Sequence, residues 1–469
     1  MITCVEMQEV EAAAFARGAS AEALMEKVGR RMASVILRDH VEPGRVIAFL
    51  GKGHNAGDAL VVARHLKDAG WAVEVRTRLS PEEMAPLTRK KWEELGEEVS
   101  GFRRGAFLLL DGLLGIGASG VLREPLAGLA QEMNALRRTA GARTVAMDLP
   151  SGLDADTGEA GVVVADWTFT VGIPKKGLVA DSATNFVGRL ELIEVEELPV
   201  SETGDALTTA STVRSLLPPR PFSFHKGQAG RVTIIAGSPG LVGAAVLCAQ
   251  GALRAGGGLI TLLVEECDIE KMLRLVPPEI MVKARPDDWR EIKADAIVIG
   301  PGLGRDSQIA FRLIEYLEAV ALPTILDADG LNMIADARRL DLLKEDVLVT
   351  PHPGELQRLV PAEGTRAERA LQFTDRCPAT LLFKGARTIV TQADEPLFYN
   401  TTGNPGMATG GQGDTLSGVL GSLVAGGLTL IDAARAGAWL TGRAAEVALL
   451  AGRSELSLTP SDIGRHLGL

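Results

Sequence analysis

Short apolar runs alternate with amphipathic stretches over the first 200 residues. After Ser20, a helix-capping residue type, Leu24, Val28, Met32 and Val35 recur at helical spacing and predict a helix over Ala21–Arg38. Arg45–Leu50, Ala72–Thr77, Ala106–Leu110 and Arg143–Met147 predict strands, separated by helical patterns over Ala59–Asp68, Pro81–Leu95 and Leu126–Arg138. Apolar strands spaced by amphipathic helices imply a parallel sheet covered on both faces. A second series starts at Arg231, with strands expected at Val232–Ala236, Leu259–Val264, Ala296–Ile299, Thr324–Leu326, Val347–Thr350 and Thr380–Phe383. Between the series, Pro199–Pro221 collects Pro199, Gly204, Pro218, Pro219 and Pro221 with several Ser and Thr, a composition that marks a connection, part of it free to dock onto the second series. The motifs of the two halves differ, so no internal repeat is read. Two domains follow, 1–200 and 201–469.

Composition narrows the classes. The chain has 469 residues, long enough for two or three domains with substantial cores. Its 49 Lys and Arg against 60 Asp and Glu leave a net charge of −11, with no polybasic block. That balance excludes general nucleic-acid binding and attraction to anionic membranes. A phosphate would be gripped by local backbone N–H groups rather than by a positive surface. Cys4, Cys248, Cys267 and Cys377 show no metal-ligand spacing and read as free thiols in a reducing cytoplasm. The start, Met1–Val10, has no apolar signal core, and no apolar run approaches the ~18 residues of a membrane span, so a cytoplasmic protein is expected. An apolar helix face can serve a core or a second copy of the chain, which leaves a homo-oligomer open.

The first candidate site lies after the Arg45–Leu50 strand, where Gly51-Lys52-Gly53-His54-Asn55-Ala56-Gly57-Asp58 leads into a helix. Small residues let backbone N–H groups approach a phosphate, and the helix start adds a favourable dipole. The same spacing would also serve a tight turn with no ligand. Asp111 closes a strand before the Gly-rich Gly112–Gly120, and Asp148-Leu149-Pro150-Ser151-Gly152 closes another. Thr168–Gly177 is a further segment, carrying Pro174, Lys175 and Lys176; either lysine could assist proton transfer, and a solvated pair on a surface loop is the plainer expectation. Asn55, Asp111 and Ser151 could surround a hard cation while Asp148 faces a ligand; alternatively Asp111 and Asp148 cap turns.

Over residues 1–200 these segments resemble the epimerase domain of NAD(P)H-hydrate repair enzymes. The family loop is Gly-x-Gly-Asn-Asn-Gly-Gly-Asp-Gly. Here His54, Ala56 and Ala59 replace the first Asn and two glycines, while Asn55, Gly57 and Asp58 match. A methyl at Ala56 would clash if that position needs a positive φ. The resemblance implies K+ near Asn55, Asp111 and Ser151. It places the hydrated dinucleotide against His54, Asn55, Ala56, Gly57 and Asp58, against Gly115, Ile116, Gly117, Ala118, Ser119, Gly120 and Val121, and against Asp148 as proton shuttle.

The second half carries more signals. His225-Lys226-Gly227-Gln228-Ala229-Gly230 precedes a strand leading to Gly237-Ser238-Pro239-Gly240 and Gly243-Ala244-Ala245. Gly300-Pro301-Gly302-Leu303-Gly304, Asp327-Ala328-Asp329-Gly330, Thr350-Pro351-His352-Pro353-Gly354-Glu355 and Lys384-Gly385-Ala386-Arg387-Thr388 follow later strands. Last comes Gly403-Asn404-Pro405-Gly406-Met407-Ala408-Thr409-Gly410-Gly411-Gln412-Gly413-Asp414, opening a helix over Thr415–Ala425. A Gly-rich turn feeding a helix presents free N–H groups to a phosphate. Asp414 in the first turn can reach a substrate hydroxyl, and these are the two tasks of phosphoryl transfer. A helix cap favoured by the dipole is the plainer role for Asp414. Asp327 and Asp329 are candidate Mg2+ ligands or turn caps, His352 a ligand contact or a packing residue, and Lys226 a phosphate contact or a solvated lysine.

Residues 210–469 resemble the ADP- or ATP-dependent NAD(P)H-hydrate dehydratase of the ribokinase-like superfamily, with Gln412 standing where the family has a small residue. The resemblance implies that Lys384, Gly385, Ala386, Arg387, Thr388 and Gly413 hold ADP or ATP with Mg2+. Ala244, Gly302, Gly304, His352 and Asp414 would contact the hydrated dinucleotide, with Asp414 as base. The fold implied is α/β in two domains, an N-terminal Rossmann-like parallel sheet with helices on both faces and a C-terminal ribokinase-like α/β domain. The function implied is repair of hydrated NADH and NADPH by R/S epimerisation and nucleotide-dependent dehydration of the S hydrate. The alternatives are a ribokinase-like vitamin or sugar kinase fused to a dinucleotide-binding domain, which would release a stable phosphorylated product, and a nucleotide-sensing scaffold built on degenerate domains.

Overall fold

The structure, a computed structural model, describes all residues except 102, 118–121, 160, 200–203, 218 and 469. Its chain divides into two compact units, Met1–Gly204 and Asp205–Leu469. Ala118, Ser119, Gly120 and Val121, expected at the first site, lie outside the described residues.

In the first unit, β1 (Arg45–Leu50), β2 (Ala72–Arg76), β3 (Phe107–Gly112), β4 (Arg143–Met147), β5 (Trp167–Val171) and β6 (Arg189–Ile193) form one sheet in the order β2-β1-β3-β4-β5-β6. Every pairing is parallel. Along β1 the side chains alternate between two cores. Val46, Ala48 and Leu50 pack on one face with Val28, Met32 and Ile36, whereas Ile47 and Phe49 pack on the other with Leu129 and Met133. Both faces are covered, which is why the strand reads as a continuous apolar run. Thr168–Gly177 is not wholly a loop, because its first residues belong to β5, buried between β4 and β6. Its Thr168 and Thr170 sit among apolar neighbours, and their β-branched shape suits a strand despite the hydroxyls.

The second unit holds β7 (Ala206–Thr208), β8 (Arg231–Ile235), β9 (Leu259–Val264), β10 (Ile280–Ala284), β11 (Ala296–Ile299), β12 (Thr324–Leu326), β13 (Val347–Val349), β14 (Thr380–Phe383), β15 (Ile389–Thr391) and β16 (Phe398–Asn400). Their order is β10-β9-β8-β11-β12-β13-β14-β15-β16-β7. The pairings of β15 with β14 and with β16 are antiparallel, and the rest are parallel. The expected connection thus contributes a strand, since β7 adds to the edge beside β16. On one face, helices Val242–Arg254 and Gln412–Ala425 pack with almost no space between backbones. A Cβ on Gly418 would stand 1.8 Å from the Cys248 carbonyl oxygen, and one on Gly251 2.3 Å from that of Thr415. These glycines fix where the second helix begins, and with it Gly413 and Asp414.

Each sheet reverses its winding once. The chain leaves β1 for β2 on one side and then crosses to β3 on the other; it leaves β8 for β9 and β10 and then crosses to β11. Loops leave in opposite directions at such a point and open a crevice beyond the carboxyl ends of the strands. The crevices fall at the loops after β1 and β3 and at those after β8 and β11.

Candidate functional sites

Beyond β1, helix His54–Asp68 begins directly after Gly53, whose extended φ of −96° and ψ of −170° let the chain turn straight into it. His54–Asp58, expected as loop, is therefore the helix's first turn, with its N–H groups free of a side-chain cap. Ala56 is buried in this turn and does not adopt a positive φ, so its methyl brings no strain. Gly57 lies tight against Met25, whose methyl a Cβ there would meet at 2.5 Å.

Asp111, at the end of β3, is 0% exposed. It accepts the Ser151 N–H at 2.8 Å, the Ser151 hydroxyl at 2.7 Å and the Leu113 N–H at 3.2 Å. Burial pushes its pKa up to about 6 against these hydrogen bonds. The Asn55 amide donates to the Leu114 carbonyl at 2.9 Å, and the Ser151 Oγ accepts the Leu114 N–H at 2.9 Å. Asn55, Asp111 and Ser151 are thus brought together around one segment. All three hydrogen-bond donors to the Asp111 carboxylate are neutral, and a buried carboxylate without a cationic partner suits a cation held by oxygen ligands.

Asp148, at the end of β4, has φ 63°, a region that Asp tolerates better than most residues. The turn carries its Oδ1 to the Val171 N–H at 3.1 Å and to the Lys175 Nζ at 2.5 Å. Lys175 is not the solvated lysine expected from sequence, since it is 1% exposed and paired. A bridge to Ile2 holds its backbone, with the Ile2 N–H donating to the Pro174 carbonyl at 3.0 Å. Lys176 is exposed, as expected, 3.8 Å from Glu6. Asp148 and Lys175 open into a cavity of about 520 Å³ that is also lined by His54, Asn55, Asp58, Gly115, Ile116 and Gly117. Helix Ala21–Asp39 adds Leu24, Met25 and Val28 to the lining, and helix Cys4–Ala16 supplies Met7, Gln8, Glu11 and Phe15. Burial first, and then the charge of Asp148, raises the pKa of both Asp58 and Glu11 above the ordinary carboxylate range. Sequence reasoning missed this helix. The signal was a Thr3–Glu6 capping box, which the structure forms.

In the second unit the loops after β8 and β11 are laced together. The Gly237 N–H donates to the Pro301 carbonyl at 2.9 Å, and the Ser238 hydroxyl donates to that of Gly302 at 3.0 Å. Gly302, at φ 56°, lies against Ala244, where a Cβ would stand 2.9 Å from the alanine methyl. The Gly304 N–H donates to Asp329 at 2.9 Å. Between Asp327 and Asp329, Ala328 holds φ 48°, a strained backbone at the mouth of the crevice.

Asp327 is buried and accepts the Lys384 ammonium at 2.8 Å and the Ser417 hydroxyl at 2.7 Å. Burial would raise its pKa, but Lys384 together with the Ser417 and Thr350 hydroxyls outweighs that and holds it below the ordinary value. The ammonium already neutralises this carboxylate, which makes Asp327 an anchor for Lys384 rather than an open metal ligand. Helix Gln412–Ala425 starts from Gly411 at φ 95° with no side-chain cap, three residues earlier than expected from sequence. A Cβ on Gly413 would come within 3.2 Å of the Lys384 Nζ, so this glycine keeps the helix start open beside the ammonium. Asp414 follows in the first turn. Burial and the neighbouring Asp327 charge push its pKa up to about 6, against the pull of Lys384.

Lys384–Thr388 is the turn joining β14 to β15, closed by the Thr388 hydroxyl donating to the Gly385 carbonyl at 3.2 Å. Within it Arg387 is buried, while Gly385 packs on Arg366, whose guanidinium a Cβ would meet at 2.5 Å. His352 caps helix Pro353–Leu359, its Nδ1 accepting the Gly354 N–H at 3.0 Å, yet its side chain stays 53% exposed with Nε2 3.5 Å from Glu355. It is both a cap and accessible to a ligand. Lys226 lies in an exposed loop. Among the described residues no helix is long and apolar enough to cross a membrane.

Comparison with known proteins bears on both units. A family model described as NAD(P)H-hydrate dehydratase matches residues 232–467, and one described as YjeF-related protein N-terminus matches residues 21–177. The bifunctional NAD(P)H-hydrate repair enzyme of Moorella thermoacetica is 36% identical over 498 residues, covering 96% of this chain and 92% of the relative. That of Escherichia coli is 34% identical over 447 residues, covering 90% and 84%. Among solved structures, an ADP/ATP-dependent NAD(P)H-hydrate dehydratase from Bacillus subtilis, co-crystallised with ATP and Mg2+, superposes with a TM-score of 0.50 at 28% identity. It covers 57% of this chain and 97% of that one. A ribokinase-like superfamily protein from Enterococcus faecalis gives a TM-score of 0.50 at 26% identity, covering 57% and 95%. With relatives matched along almost its whole length, the chain belongs to the family of bifunctional NAD(P)H-hydrate repair enzymes.

Proposed function

We propose that residues 1–200 interconvert the R and S hydrates of NADH and NADPH, and that residues 201–469 return the S hydrate to the reduced dinucleotide at the expense of ADP or ATP. The observation that carries this reading is Asp414, placed one residue beyond Gly413 at an uncapped helix start and beside the buried Lys384–Asp327 pair.

In the second unit, N–H groups of the helix start and the Lys384 ammonium hold the terminal phosphates, with Lys384–Thr388 as the nucleotide-facing turn. Mg2+ would enter with the nucleotide and neutralise its phosphate charge. Asp414 removes the proton from the carbon 6 hydroxyl as that oxygen takes the terminal phosphoryl group. Its titration near pH 6 suits a base that must be ionised at neutral pH and still accept a proton. Phosphate then leaves with the carbon–oxygen electron pair, the ring nitrogen lone pair supports the cation, and loss of the carbon 5 proton restores the double bond. Ala244, Gly302, Gly304 and His352 line the dinucleotide side.

In the first unit, the dinucleotide lies in the 520 Å³ cavity against His54, Asn55, Asp58, Gly115, Ile116, Gly117 and Asp148. K+ held by Asn55, Asp111 and Ser151 would neutralise the buried carboxylate and fix the segment after β3. Asp148 moves the proton as water leaves and returns at carbon 6. The test is a coupled assay on separated R and S hydrates with ADP, ATP or neither, read at the absorbance of reduced nicotinamide. Asp414→Asn abolishes that recovery. A stable phosphorylated product from the wild type would instead favour a kinase.

A further inference from the structure

Epimerisation at carbon 6 poses a demand that one carboxylate does not meet. The hydroxyl leaves from one face of the ring as water, taking a proton, and the new water attacks the other face, giving one up. Two proton carriers on separate walls perform this without turning the ring. Asp148 is one, set at the strand ends and paired with Lys175. Helix Cys4–Ala16 forms a different wall and carries Glu11 into the same cavity, with Met7 and Phe15 on that face.

The placement of Glu11 is built rather than incidental. The Thr3–Glu6 capping box starts its helix, and the Cys4 N–H donates to Asp156 at 2.6 Å. The Ile2 backbone pairs with Lys175, so the segment that leads to Glu11 is pinned to the segment that holds Asp148's partner. The charged and titratable groups sharing the cavity with Glu11 are Asp58, Asp148, Lys175, His54 and Lys52. Lys175 is committed to Asp148, and burial favours the protonated form of Glu11. An ion-paired carboxylate sharing a cavity with a second carboxyl that burial biases towards its protonated form is the division of labour that acid–base chemistry needs. The family model matches from residue 21 onward, so Glu11 lies outside it.

Resting on the epimerase reading, we propose that Glu11 is the second proton carrier of the first unit, serving the ring face opposite Asp148. When Glu11 protonates the departing hydroxyl, Asp148 takes the proton of the incoming water; in the reverse direction the two exchange roles.

The test uses the full chain, wild type against Glu11→Gln, with purified R and S hydrates in 18O-labelled water and a protein-free control. Inversion is followed as R converted to S, and exchange as 18O entering the carbon 6 hydroxyl. Glu11→Gln should slow inversion by about 100-fold or more. It should retain protein-dependent exchange without inversion in the epimer whose hydroxyl faces Asp148, and leave ADP-driven consumption of the S hydrate unchanged. Wild-type inversion in Glu11→Gln, or inversion and exchange lost in equal measure, overturns the proposal. If the wild type itself inverts no faster than the control, the epimerase reading has failed instead.

Discussion

Replacing Asp414 with Asn tests the second site through stability as well as activity. Burial and the Asp327 charge raise this carboxyl from an ordinary 3.8 to about 6. Its ionised form is therefore less welcome in the fold than in the unfolded chain, and the native state binds the extra proton between those two values. By linkage, stability falls as pH rises from about 3.8 to about 6, and above that the full penalty persists. At about 1.4 kcal/mol per pH unit the difference is worth about 3 kcal/mol at pH 7. Solvent reaching a half-buried group trims it to about 2 kcal/mol. Asp414→Asn removes the charge and should raise the melting temperature of the second unit by about 4–8 °C at pH 7. At pH 4 the penalty is only about 0.5 kcal/mol, so the gain should almost vanish. Calorimetry at the two pH values measures the difference. The same variant should lose dehydration by about 100-fold or more, and in the wild type the rate should fall on the acid side with a midpoint near 6, where Asp414 gains its proton. A variant that melts at or below the wild type at pH 7, or whose gain is equal at both pH values, refutes the electrostatic argument. Wild-type turnover refutes the assignment of the base.

Lys175→Met leaves Asp148 in the cavity without its cation and should destabilise the first unit by about 3 kcal/mol, stop R-hydrate consumption and spare the S hydrate, as read by calorimetry and the coupled assay. Gly418→Ala drives a methyl to 1.8 Å from the Cys248 carbonyl oxygen and should cost the second unit about 3 kcal/mol in denaturant unfolding. Gly464→Ala, whose methyl would meet only Arg254 at 3.6 Å, should be neutral or slightly stabilising. Exchanging K+ for tetramethylammonium at constant ionic strength should lower the first unit's melting temperature, and Asp111→Asn should erase that difference; a K+ effect that survives the substitution argues against a site there.

Strand positions were legible wherever burial on both faces made the sequence continuously apolar. Arg45–Leu50, Arg143–Met147, Leu259–Val264, Ala296–Ile299, Thr324–Leu326 and Thr380–Phe383 fall where the pattern puts them. The strands that escaped carry polar or charged side chains. β5 has two threonines, β6 is charged and β10 ends on an exposed edge, so their apolar periodicity is broken. The candidate residues were legible as loop motifs because phosphate binding needs Gly and Asp in recognisable runs. What a linear reading lacks is strand order, and hence the two crossover points that bring Gly302 to Ala244 and Asn55 to Leu114. Lys175 was misjudged for the same reason. Only the pairing of Ile2 with its backbone and the approach of Asp148 bury a lysine that sits in a doublet.

The two units share an electrostatic plan although their motifs differ. In each, a lysine ammonium pairs with one carboxylate, Lys175 with Asp148 and Lys384 with Asp327, and a second carboxyl is raised by burial nearby, Glu11 or Asp58 in the first unit and Asp414 in the second. The lysine limits the cost of burying several acidic groups in one crevice, because an unpaired cluster would repel itself and favour unfolding. It also separates their proton affinities, so that in the proposed chemistry Asp327 anchors Lys384 while Asp414 moves a proton, and in the first unit Asp148 and Glu11 carry protons in opposite directions. In the proposed chemistry the first unit's hydroxyl leaves as water and needs only proton carriers, which a crevice lined by Asp148 and Glu11 would supply. In the same proposal the second unit makes the hydroxyl a better leaving group, for which a raised carboxyl at an uncapped helix start, where a phosphoryl group can be held, is suited. One carbon 6 hydroxyl and two exits for it account for the different surroundings of Asp148 and Asp414.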